Sequence, residues 1–169
     1  MPKPKVLVVD GYNVINRLPD LKPASVDRLE STRLQLALRV SVWGRLHPET
    51  ECLIIFDGDR EVVSGGGQIL AGVRCVFSRH AHGGDEEIIR QIREFRSKKR
   101  PVTVVSDDNQ VANNCRAHGA ISEPARFLAA PKASRSKGPA KSGTGGKGID
   151  ARTAARINKE MAEVFGRKE

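Results

Sequence analysis

KVLVVDG, residues 5–11, is a short apolar run closed by Asp10 and Gly11, and ECLIIFDG, residues 51–58, repeats the design with Asp57 and Gly58. Two more runs follow: VRCVF over 73–77, and VTVV over 102–105, closed by Ser106 and Asp107. Continuous β-branched runs suit strands buried on both faces, as in a parallel sheet covered by helices. Periodicity alone does not exclude short helices, but the flanking Gly and Pro favour strands.

Helical patterns separate these runs. Residues 26–46 carry Leu29, Leu34, Leu36, Leu38, Val42 and Leu46 among arginines, with Ser25 placed as an N-cap. Residues 85–96 carry Ile88, Ile89, Ile92 and Phe95 at the spacing of an amphipathic stripe, with acids at the start and Arg96–Arg100 after the end, as the helix dipole prefers. Residues 109–118 read as a shorter helix stopped by Gly119. Strands alternating with helices predict an α/β domain with a mainly parallel central sheet.

Residues 131–148 change character: PKASRSKGPAKSGTGGKG holds no aromatic residue, so a disordered basic linker is expected there. Residues 149–169 would follow as a short helix or tail, with Asp150 as an N-cap. The chain of 169 residues carries a formal charge of +9, and residues 131–169, with ten basic and four acidic side chains, hold +6 of it. Such an excess attracts a polyanion, with nucleic acid the leading candidate. No stretch approaches the ~20 apolar residues of a membrane span. The N-terminus runs from two lysines into an apolar run too short for a secretory signal, so a cytoplasmic protein is expected. Cys52, Cys75 and Cys115 are widely spaced without a CxxC pair and read as inert thiols, not as a zinc site.

Position makes the acids informative. In open α/β sheets, ligands bind beyond the carboxyl ends of the strands. Asp10, Asp57, Asp107 and Asp108 follow three of the apolar runs, and Asp85 begins the helix after VRCVF. In a parallel sheet these meet at one edge, where crowded carboxylates repel one another unless a cation neutralises them. All-oxygen ligands suit Mg²⁺ or Mn²⁺. Each acid taken singly also has a structural reading: Asp57 in Asp-Gly-Asp makes a natural turn, and Glu86, Glu87 and Asp108 fit a solvated first helical turn.

VVDGYNVI (8–15), IIFDG (54–58), CVFSRHAHGGDEEI (75–88) and VTVVSDDNQVANNCRAHGA (102–120) resemble, in order and spacing, the successive motifs of the NYN domain family in its YacP-like branch, relatives of the PIN-like nucleases. The resemblance covers roughly residues 4–130. It implies a three-layer α/β/α Rossmann-like domain over residues 1–130 and metal-dependent endoribonuclease activity, on ribosome-associated messenger RNA in some members. By the same resemblance Asp10, Asp85 and Asp107 are metal-binding acids, Asn13 orients Asp10 or a metal-bound water, Asp57 is an acid beside the site, and Ser106 takes the place of a small hydroxyl residue. Gly83-Gly84 is a departure, since relatives often carry Thr-Ala there; the basic tail is another.

The chemistry that follows is metal-assisted hydrolysis of a phosphodiester, with Asp57 or Asp107 taking the water's proton and 5′-phosphate ends as products. Arg60, Arg79, His80 and His82 are placed to meet phosphates, with ordinary loop polarity as the alternative, and Tyr12 is the aromatic residue nearest the acids. Lys98, Lys99 and Arg100 end a helix and are expected as a solvated charge run at the opposite edge. The rival reading is a non-catalytic RNA- or ribosome-binding protein on the same fold; it leaves Asp10, Asp85 and Asp107 unexplained, because holding phosphate needs no acids. A haloacid-dehalogenase-type phosphatase would need a second Asp where Tyr12 stands, a receiver domain a Lys after a later strand, and no P-loop or GxGxxG motif is present.

Overall fold

Residues Lys5–Asp10 form the first strand, β1, and it becomes the centre of the sheet because both of its faces are apolar. The computed structural model describes residues 2–22, 28–58, 67–78 and 83–130. Further strands are β2 (Thr50–Phe56), β3 (Gln68–Leu70), β4 (Val73–Phe77), β5 (Val102–Val105) and β6 (Ile121–Glu123), in the order β3-β4-β2-β1-β5-β6. All pairings are parallel except that of β3 with β4. The four strands expected from the apolar runs are therefore present, and two short edge strands join them.

Four helices cover the sheet: α1 (Gly11–Arg17), α2 (Leu29–Leu46), α3 (Gly84–Ser97) and α4 (Asn109–Ala117). Alternation along the strands divides the core. Leu7, Val9, Ile54, Phe56 and Cys75 pack with Val14, Ile15, Leu36 and Val40 of α1 and α2. Val6, Val8, Leu53, Ile55 and Val104 pack with Ile88, Ile92, Phe95, Val111 and Cys115 of α3 and α4. This is the three-layer α/β/α arrangement, and each fully buried Leu, Ile or Phe contributes roughly 1.5–3 kcal/mol. The stripe predicted over residues 85–96 is the buried face of α3, and a 3-10 turn, Ala125–Leu128, closes the described fold.

Arg39 of α2 is buried; it pairs with Asp20 and donates to the Leu128 carbonyl at 3.4 Å, tying that turn to the helix layer. The three thiols are free, and burial pushes each of them up to about 11, as expected of inert cysteines. The chain divides into two units, Met1–Leu128 and Ala129–Glu169, and the sheet belongs to the first. The N-cap expected at Ser25, the linker over 131–148 and the segment 149–169 lie outside the described residues. Among the described residues no helix is long and apolar enough to cross a membrane.

Candidate active site

The order of strands reverses direction between β1 and β5: the chain leaves β1 for β2 on one side and leaves β5 for β6 on the other. A crevice opens at such a switch point, outside the carboxyl ends of the strands. Asp10 is the last residue of β1, and Ser106 and Asp107 follow β5, whose Val105 pairs with Val9. Asp57 follows β2, and Asp85 lies in the first turn of α3.

Asp10 occupies the N-cap position of α1. Its Oδ2 accepts the hydroxyl of buried Ser106 at 2.9 Å. Burial pushes the Asp10 carboxyl up to about 6; the Ser106 hydrogen bond pulls it back, Asp85 and Asp108 push it further up, and the backbone amide of Asn13 lowers it. Asp85 is also raised, by burial first and then by Asp108 and Asp57. Among the described residues none of these four acids is ion-paired with Lys, Arg or His. Four segments thus bring like charges together, as the positional reading expected.

Asp107, expected among the metal-binding acids, accepts the Ala125 amide through Oδ1 at 3.3 Å, and its neighbour Asp108 is among the charges that raise both Asp10 and Asp85. Asp108 also caps α4, its Oδ1 accepting from the amides of Gln110 at 2.8 Å and Val111 at 3.2 Å. Asn13 does not turn its side chain on Asp10: its Oδ1 accepts the Asp107 amide at 2.8 Å and so fastens the loop after β5 to α1.

Asp57 accepts the Ser78 hydroxyl through Oδ1 at 2.9 Å, and Ser78 Oγ accepts the Gly58 amide at 3.2 Å. Ser78 was not singled out in the sequence, although the signal was there: CVFS and TVVS both end a strand in a serine, and each serine holds the acid of the neighbouring strand. The Gly83-Gly84 departure also has a cause. A Cβ on Gly84 would stand 2.8 Å from the Asp57 Cβ, so glycine lets the start of α3 approach β2 and sets Asp85 beside Asp57.

Glu87 points elsewhere: burial opposes its charge, but hydrogen bonds from Arg90 and Gln91 outweigh that and hold it below its ordinary value. Tyr12 packs against Phe56 at 5.1 Å between ring centroids, and its hydroxyl accepts from Arg33 at 2.8 Å, so the ring serves the core beside the site. Arg60, Arg79, His80 and His82 lie outside the described residues. Arg100 stands at the opposite edge as expected, but paired instead of merely solvated, with Glu51 at 2.7 Å.

A family model described as the YacP-like NYN domain matches residues 7–166. The chain belongs to the YacP-like NYN family. The family is a PIN-like nuclease family, which gives the chain an RNA-related nuclease function. The match continues through residues 131–166, beyond the motifs on which the resemblance rested. The structure is similar to the crystal structure of Rae1 (YacP) from Bacillus subtilis, with a TM-score of 0.63 and 20% identity over 96% of this chain and 80% of that one. A mutant form of that protein gives a TM-score of 0.62 and 18% identity over 94% and 80% of the two chains. The sequence matches no curated protein at a significant level.

PIN-like nuclease domains generally use divalent metals. Among the described residues no group of three or more His, Cys, Asp or Glu converges closely enough to hold an ion by itself. The donor set nevertheless fits Mg²⁺ or Mn²⁺ in its chemistry: it is all carboxylate, and Asp10 and Asp85 are raised by burial and then by neighbouring acids. Mg²⁺ keeps several waters and is commonly held by one or two carboxylates plus substrate phosphate, so a closed protein cage is not required.

Proposed function

We propose that this YacP-like NYN protein is a divalent-metal-dependent endoribonuclease that hydrolyses RNA phosphodiester bonds at the carboxyl edge of its sheet. The observation that carries the reading is that Asp10 and Asp85, at the carboxyl ends of the strands, are both raised, by burial first and then by neighbouring acids, Asp108 among them for each, and neither is ion-paired among the described residues. Asp10, Asp85 and Asp108 are the acids that would hold the cation, with Asp107 setting the loop that carries Asp108. When bound, the cation supplies Lewis acidity at the phosphate and an activated water.

The chain's own groups prepare that edge. Ser106 fixes Asp10 by donating its hydroxyl to Oδ2. Ser78 fixes Asp57 through Oδ1, so Asp57 Oδ2 is the atom that takes the proton of the attacking water. Attack by water leaves a 5′-phosphate and a 3′-hydroxyl. The net charge of +6 on residues 131–169 supports anchoring on a polyanionic surface, and on that basis we include messenger RNA on the ribosome among the substrates.

The test is cleavage of structured RNA and of ribosome-bound message in Mg²⁺ or Mn²⁺, with an Asp10→Asn, Asp85→Asn variant beside the wild type. Cutting by the wild type alone, stopped by EDTA and leaving 5′-phosphate ends, is expected. Cyclic phosphate ends, or equal cutting in EDTA, contradict the reading. RNA bound and never cut would leave a binding protein on this fold.

A further inference from the structure

A groove of about 750 Å³ lies between α3 and α4 and starts at Asp85 and Glu86. Both helices begin at the carboxyl edge, so the groove leads away from the acids along one face of the domain. Its walls repeat every four residues, Asp85, Ile89 and Arg93 on α3 and Gln110, Asn114 and His118 at α4. Spacing of that kind keeps side chains on one helix stripe, and eight residues of helix extend it for ~12 Å.

Charge and hydrogen-bonding capacity change along the groove. The mouth is acidic, and farther down Arg93 is exposed and holds no hydrogen bond or ion pair among the described residues. Arg90, by contrast, is committed to Glu87 at 2.6 Å. The side-chain amides of Gln110 and Asn114 are likewise without partners among the described residues, and half-buried Ile89 adds an apolar contact. A polyanion would be repelled at the mouth unless a cation neutralises the acids there, and attracted toward Arg93 farther in. An extended single strand tracks a groove of this kind through its backbone. Among the described residues no Phe, Tyr or Trp lines the groove and His118 is its one ring, so a strand would be held chiefly by its phosphates, ribose hydroxyls and base edges.

We propose that the α3–α4 groove seats a single-stranded RNA segment flanking the cleaved phosphate, with Arg93 and His118 on phosphates and Gln110 and Asn114 on ribose hydroxyls or base edges. The assignment rests on the proposed cleavage edge, since it takes Asp85 as the end from which the strand departs.

Binding separates the two. In a full-length Asp10→Asn background, a fluorescein-labelled, unstructured 12-nucleotide RNA is titrated over a salt series, using ~12 nucleotides because single-strand sites commonly span several. Arg93→Glu is compared with Lys22→Glu, an equal charge change beside Leu21 on the α1 and α2 face. Arg93→Glu is expected to weaken binding by about tenfold and to flatten the slope of log K against log salt by ~0.7, while Lys22→Glu shifts both far less. Asn114→Ala, which changes no charge, is expected to weaken binding by about threefold at an unaltered salt slope. Equal affinities for Arg93→Glu and Lys22→Glu, with the wild type still cutting RNA, overturn the groove alone. A wild type that cuts no RNA would remove the proposed function and leave this binding comparison readable.

Discussion

At the amino edge of the sheet Arg100 pairs with Glu51 at 2.7 Å, donates to the Pro4 carbonyl at 2.9 Å and covers the Phe95 ring, while Lys5 stands 3.9 Å from Glu49. At the carboxyl edge Asp10 and Asp85 are raised by burial and by neighbouring acids, and no described cation pairs with them. The same strands therefore end in neutralised charge on one side and in unrelieved repulsion on the other. Repulsion of this kind lowers stability, and it persists where a site needs it. The contrast supports the proposed site at the carboxyl edge and a structural role for the amino edge.

The largest effect expected from breaking the contrast is on cleavage. Asp108→Asn keeps the α4 cap, because Asn caps as well as Asp, and removes the charge that reaches Asp10 and Asp85. It should lower kcat by about a hundredfold or more, while Asp107→Asn, whose carbonyl oxygen still accepts the Ala125 amide, should cost less. Steady-state cleavage assays on both variants decide which member of the pair is the ligand. Next comes Gly84→Ala: pushing α3 off Asp57 by tenths of an ångström should cost about tenfold in kcat and about 1–2 kcal/mol in urea unfolding.

Stability carries the third effect, with the sign reversed. Asp10 rises from 3.8 to about 6 on folding, so its protonated form favours the fold. That contribution is complete below the unfolded value and is lost as pH climbs through the folded one. In EDTA the wild type should therefore weaken between pH 4 and 6 and level off above, by about 3 kcal/mol for this one group. Asp10→Asn should remove that slope and be more stable than the wild type at pH 8 while failing to cut RNA; thermal melts across pH test both. The smallest effect belongs to the paired edge: Glu51→Gln should cost less than about 1 kcal/mol and leave cleavage unchanged.

Much of the fold was legible because burial on both faces writes itself into continuous apolar runs. KVLVV, ECLIIF, VRCVF and VTVV each became a parallel strand. What burial does not mark was missed. In β3 and β6, three residues each, Ile69 and Ile121 remain 64% and 60% exposed, so no apolar run announces them. The seven residues of α1 include Gly11 and Asn13, poor helix formers, and Val14 and Ile15 packed in the core hold the helix in place. The convergence of Asp10, Asp57 and Asp85 was legible because strand ends in a parallel sheet share an edge. Asp107 and Asp108 are neighbours on one turn, and their separate hydrogen bonds, to the Ala125 amide and to the start of α4, depend on backbone that the sequence does not spell out. The side-chain contact of Asn13 with the loop after β5 was not legible either, since its partner there is a backbone amide 94 residues away.

The most direct measurement is the melting temperature of the wild type and of Asp10→Asn at pH 8 as Mn²⁺ is added without RNA. A cation held by the carboxyl edge relieves the repulsion there, so the wild type should rise with concentration by RT ln(1 + [Mn²⁺]/Kd) and Asp10→Asn should rise far less. Equal shifts in the two proteins, or none in the wild type, would contradict the account.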